Sequence, residues 1–155
     1  MAKLLIPLVL VAMQIGSPRA PRFADYPATV GFPGNPATPN LTSGEAQRFR
    51  TQLSRQSAAG PNFAGHFTFA RWGCGAGCVT GAIIDALTGQ VWFPNFVIED
   101  VIEQGRIVVD HTTEFHLDSE LVVATGAVNG QGAGTAYLRW HENVLTLIRF
   151  DKYSN

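Results

Sequence analysis

Both cysteines of the chain, Cys74 and Cys78, stand in one glycine-rich stretch, "RWGCGAGCVTG", residues 71 to 81. The imidazoles that could act with them are His66, His111, His116 and His141. A structural zinc site needs four ligands. His111 and His116 would complete the set, but in an extended segment two residues five apart point to opposite faces, so no metal is expected. A thiol–disulfide enzyme normally presents Cys-x-x-Cys at the start of a helix, where the dipole lowers a thiol pKa. Here three residues intervene, and the following "VTGAII" is strand-like. A cysteine hydrolase needs one free thiolate beside an imidazole. His66 is the candidate partner, although a second cysteine so close tends to oxidise the first. The remaining chemistry is a small disulfide loop. Gly75 and Gly77 let the chain curl until the two Cα atoms approach within about 7 Å, the reach of a disulfide.

Other chemistry-bearing residues form no coherent set. Glu99, Asp100, Glu114, Asp118 and Glu120 could include a glycosidase pair, but nothing in their spacing selects one. They read as solvated side chains. "GQGAGT" lacks the lysine and the strand–helix context of a phosphate-binding loop, and no cofactor is expected.

The elements that must position the cysteines begin after an unusual N-terminus. Lys3 and the terminal amine precede a ten-residue apolar run, Leu4 to Met13. A bilayer-spanning helix needs about twenty apolar residues. The run has instead the length and flank of a secretory signal, and residues 1–20 are expected to be removed, leaving no membrane span. Their loss takes Lys3 and Arg19 and no acid, leaving nine basic against twelve acidic side chains. A mildly acidic chain lacks the clustered basic residues that nucleic acid requires. Export to an oxidising compartment, periplasmic or extracellular, favours the disulfide.

Residues 21–40 hold five prolines and two glycines and read as an extended arm. Residues 41–155 read as a single domain. "LTSGEAQRFRTQLSRQ" is its one helix, with Thr42 and Glu45 as a capping box and Ala46, Phe49 and Leu53 on one face. Gly60 and Pro61 stop it. Short β-rich runs then recur at roughly ten-residue spacing, separated by Gly, Asn, Asp and Ser turns. "LTGQ" is a hairpin turn with Gly89 able to take positive φ. Helix and strand do not alternate, which excludes a doubly wound parallel sheet. The expected class is α+β, mainly β: an antiparallel meander, as a curled sheet or small sandwich, with one N-terminal helix.

"GPNFAGHFTFARWGCGAGCVTGAIIDALTGQVWFP", residues 60 to 94, resembles the signature of a group of small exported bacterial proteins without an established activity. Its parts are Asn-Phe-Ala-Gly-His, an aromatic strand, Trp-Gly-Cys-Gly-x-x-Cys and an Ile-Asp hairpin. The resemblance implies export and a shared domain, and no reaction. Near the C-terminus "GAGTAYLRW" is similar to the Ser-Gly-x-x-Tyr loop that periplasmic lysozyme inhibitors insert into the enzyme's cleft. Gly134 and Tyr137 fit that pattern, and Ala133 stands where the serine would be.

The expectation is an exported, monomeric, non-catalytic binding or inhibitor protein with a Cys74–Cys78 staple and a protein partner in the envelope. The alternative is a cysteine-dependent hydrolase or thiol–disulfide enzyme that uses Cys74 or Cys78 with His66. Candidate contact residues are His66, Trp72, Tyr137 and Trp140. Trp72 has two readings, an aromatic edge beside the stapled loop or a core tryptophan.

Overall fold

The computed structural model describes residues 19–154, so nearly all of the expected signal segment, residues 1–18, lies outside the described residues. A single turn at Phe23–Asp25 is followed by two short helices, α1 (Gly44–Arg48) and α2 (Arg50–Ser57). Ten strands then run in order. They are β1 (Phe67–Gly75), β2 (Cys78–Asp85), β3 (Val91–Trp92), β4 (Val97–Glu99) and β5 (Val101–Glu103). After them come β6 (Arg106–Val109), β7 (Thr112–Phe115), β8 (Leu121–Val128), β9 (Ala133–His141) and β10 (Val144–Lys152). Every pairing between these strands is antiparallel, as the meander reading requires.

The main sheet has the order β1-β2-β4-β8-β9-β10. β2 carries β3 and β4 one after the other along its second edge, with Ile83 opposite Trp92 and Val79 opposite Ile98. β8 does the same with β4 and β7. The short β4 therefore joins the two halves of the sheet. β5 and β6 leave it as a separate two-stranded hairpin.

Period-two alternation sends successive side chains of a strand to opposite faces. On β1 and β2 both faces are covered. Phe69 and Ile83 join Phe96, Ile98, Leu138 and Trp140 in the larger core. Ala70, Trp72, Ala82 and Ile84 face Ala46 and Leu53 of the helices. Each fully buried Phe or Ile contributes about 1.5–3 kcal/mol from water exclusion. β9 is covered on one face only, with Ala136, Leu138 and Trp140 in and Thr135, Tyr137 and Arg139 at the surface side.

The helical segment departs from the expected capping box. The Ser43 hydroxyl, one residue later than expected, accepts the Ala46 N–H at 3.0 Å. The Thr42 hydroxyl donates instead to Asn40 Oδ1 at 2.7 Å. The helix is also interrupted at Phe49 (φ −104°, ψ 16°), whose ring lies 4.6 Å from that of Trp72. The Ala46/Leu53 face is buried as its spacing requires.

The arm is tied down at both ends. The Ala28 N–H donates to Asp118 O (2.8 Å) and the Glu120 N–H to Tyr26 O (2.9 Å), around a bridge between Pro27 and Ser119. Further on, the Ala37 and Asn40 N–H groups reach Ala86 O and Gly89 O. Gly89 has φ +78°, the conformation its turn demanded.

The two edges of the sheet are treated differently. Gln56 caps β1 like a strand residue, its Oε1 accepting the Arg71 N–H at 3.0 Å and its Nε2 donating to Arg71 O at 2.9 Å. Asn62 Oδ1 accepts the Phe69 N–H at 2.8 Å. β10 forms the opposite edge, where a bulge between Leu147 and Arg149 interrupts the register.

Candidate functional site

The cysteines close the tip of the β1–β2 hairpin. Cys74 and Cys78 form a disulfide with Cα atoms 5.2 Å apart, and no described cysteine is free. Gly75 pairs with Cys78, leaving Ala76 and Gly77 as the turn. Gly77 has φ +63°, and a Cβ there would press on the Asp100 carboxylate. The Gly77 carbonyl accepts the Asp100 N–H at 2.8 Å. Cys74, Gly75 and Ala76 face solvent.

Asp100 links this tip to its neighbour. It lies between β4 and β5, and His111 lies between β6 and β7, so together they clasp the base of the β5–β6 hairpin. Asp100 Oδ1 accepts the His111 N–H at 3.0 Å and lies 2.5 Å from His111 Nδ1. The His111 backbone bond first, then its ring, holds the Asp100 carboxyl below the usual carboxylate range. Asp110 Oδ1 stands 4.0 Å from the same imidazole nitrogen. The ligand atoms of Asp100, Asp110 and His111 lie within 4.8 Å of one another, a grouping that sequence spacing did not suggest. Beyond the clasp the hairpin projects Ile102, Ile107 and Val108, each at least half exposed, with Ile102 directly opposite Ile107.

A second site forms at the other end of β1. In the Asn-Phe-Ala-Gly-His segment the chain turns through left-handed Ala64 (φ +44°) and Gly65 (φ +86°). A Cβ at Gly65 would overlap the Thr29 carbonyl of the arm, so glycine is required by both conformation and space. This turn delivers His66, whose ring lies 4.2 Å from that of Phe67 and whose Nε2 lies 3.6 Å from Asp85 Oδ1. Asp85 also organises the β2–β3 turn, accepting the Leu87 N–H and the Thr88 hydroxyl, both at 2.8 Å. Two separated parts of the signature stretch, His66 and Asp85, thus meet.

His66 lines a cleft of about 270 Å³ whose wall is the arm at Pro27–Thr29 and whose floor includes Phe67 and Trp140. Glu120, His141 and Glu142 complete its polar side. Glu120 Oε2 accepts from Arg139 Nε at 2.8 Å and lies 3.4 Å from His141 Nδ1. The Arg139 guanidinium lies 5.6 Å over the Tyr26 ring. Glu120 and Asp100 are therefore held in contacts, where the sequence suggested free solvated carboxylates.

The structure brings His66 and Trp140 into one cleft, and it separates them from the other candidates. Trp72 is buried, covered by Phe49, and its Nε1 has no hydrogen-bond partner. Of its two readings, the core tryptophan is the one observed. Tyr137 sits half-buried in the middle of β9, opposite Val123 on one side and Arg149 on the other. "GAGTAYLRW" is an internal strand, so it does not form the protruding loop that the inhibitor resemblance implied. The supposed pairing of His66 with a cysteine is not formed. His66 precedes β1 and Cys74 lies near its far end, eight residues or about 26 Å along the strand.

All four histidines lie within 4.0 Å of a carboxylate oxygen: His66 on Asp85, His111 on Asp100, His116 on Glu114 and His141 on Glu120. Short-range spacing reveals the Glu114–His116 contact and the longer Asp110–His111 one, while the Asp85, Asp100 and Glu120 contacts join residues distant in sequence.

Fold and site define a mainly β α+β domain with a disulfide-closed hairpin tip and a separate histidine–carboxylate cleft. Comparison with known protein families, with curated proteins and with solved structures finds no match for this chain.

Proposed function

We propose that this chain is an exported, non-catalytic binding protein of the cell envelope, presenting the stapled β1–β2 tip and the β5–β6 hairpin to a protein partner. The observation that carries this reading is that both sulfurs are joined in a disulfide at an exposed tip. A sulfur so joined is neither nucleophile nor metal ligand. The tip is tied through Gly77 and Asp100 to a hairpin exposing Ile102, Ile107 and Val108. A disulfide-closed tip beside an exposed apolar patch supports a docking surface, because contiguous exposed apolar side chains mark interaction sites. Among the described residues no helix is long and apolar enough to cross a membrane.

The test has two stages. Protein purified from the envelope without reductant is weighed intact before and after alkylation, and uptake of two alkyl groups would end the staple reading. Envelope extract is then passed over wild type, the Cys74→Ser/Cys78→Ser double variant and Ile102→Glu/Ile107→Glu. A partner held by wild type and lost on both variants is expected; retention unaffected by either variant contradicts the proposed surface.

A further inference from the structure

We infer that the cleft between the arm and the β9–β10 turn is a binding site for an alkyl guanidinium or ammonium group. It lies apart from the stapled tip and goes beyond the partner surface proposed above. Three observations converge on this ligand chemistry. The first is charge: Glu120 and Glu142 line the cleft, and neither Lys nor Arg is among its lining residues. The Glu142 side chain is exposed and enters no ion pair among the described residues, so its charge is available at the mouth. The second is the floor, where the half-buried Phe67 ring offers apolar surface to an alkyl stem and the buried Trp140 ring, 5.5 Å away, backs it. Long cationic side chains bury such stems while their heads stay hydrated.

The third observation is a neighbouring arrangement within the molecule. On the rim Arg139 already combines a charge-assisted bond to Glu120 with a position over the Tyr26 ring. That is the carboxylate-and-aromatic environment a guanidinium prefers. Glu120 Oε2 takes the Arg139 bond, and no described residue bonds its second oxygen. A ligand cation entering the cleft would therefore meet Glu142 and the remaining oxygen of Glu120. His66 and His141 flank it. A volume of about 270 Å³ suits one side chain or a small free cation and is too small for a folded element.

The ligand's source, a free small cation or a side chain of a larger molecule, is separated by the probes. The folded chain, ¹⁵N-labelled, is titrated with agmatine, with the blocked tripeptide Gly-Arg-Gly, and with the same tripeptide carrying neutral citrulline for arginine. Shifts are expected at Thr29, His66, Trp140 and Asn143, with a Kd near or below about 1 mM for at least one cationic probe. Citrulline should weaken tripeptide binding about tenfold or more, and Glu142→Gln about three- to fivefold for either cation, with amide dispersion of the variant unchanged. Binding of agmatine alone assigns a free cation; binding of the arginine tripeptide assigns a side chain. Equal binding of citrulline, shifts at the β1–β2 tip instead of the cleft, or no shift up to about 10 mM of either cation would overturn the inference. None of those outcomes touches partner capture at the stapled tip, so the two proposals fail separately.

Discussion

Asp100 shows how one side chain can take a role its neighbours in sequence do not announce. Its carboxylate receives the His111 N–H and sits against the His111 ring, which lowers its pKa in the folded state. In the unfolded chain it titrates near its ordinary value of about 3.9. The ionised form is therefore favoured by folding. Its contribution is complete above that unfolded value, declines as pH falls below it, and is lost once pH passes the lower folded value. Asp100→Asn removes this dependence. Urea midpoints measured between about pH 5 and pH 2 should fall more steeply for wild type than for Asp100→Asn. Parallel curves would show that the clasp does not couple to folding. His66 and Asp85 make the same point about legibility. They stand nineteen positions apart in sequence, and only the Ala64–Gly65 turn and the β1–β2 register bring them within 3.6 Å.

At the scale of elements, two details test the local structure. Ser43, rather than Thr42, holds the N-terminal cap of the first helix. Ser43→Ala should cost about 1 kcal/mol in a denaturant titration, a typical loss for a cap. Thr42→Ala removes only an exposed side-chain contact to Asn40 and should cost clearly less. The reverse order would restore the capping box anticipated from Thr42 and Glu45. The staple is the second detail. A loop this short stabilises by about 2 kcal/mol on a chain-entropy treatment. Cys74→Ser/Cys78→Ser should therefore lower stability by about that amount while far-UV circular dichroism keeps its β signature. Global unfolding of the variant would show that the disulfide holds more than the hairpin tip.

Across the whole molecule, the two core clusters share one structural member, the β1–β2 hairpin. Phe69 and Ile83 belong to the larger cluster, while Ala70, Trp72 and Ile84 belong to the one under the helices. Neither cluster can open without exposing a face of these strands. Unfolding should therefore be a single transition. Tryptophan fluorescence samples Trp72 in one cluster and Trp92 and Trp140 in the other, and it should give the same urea midpoint as far-UV circular dichroism. Separated midpoints would mean that the helical layer opens on its own.

The sequence alone determined the features whose causes act within a few residues. Strand alternation, the Gly89 turn, the short reach between Cys74 and Cys78 and the Ala46/Leu53 face are set by local geometry and appear in the fold as expected. The mainly β class followed from their repetition along the chain. Tertiary structure decided which edges paired, because β pairing between distant segments depends on the competition among all the strands for burial. It placed β4 between β2 and β8, and it put "GAGTAYLRW" inside the sheet instead of at a loop. It buried Trp72 under Phe49 and set His66 and Trp140 around one cleft. The pairings of His66 with Asp85, His111 with Asp100 and His141 with Glu120 were assigned by the same long-range packing.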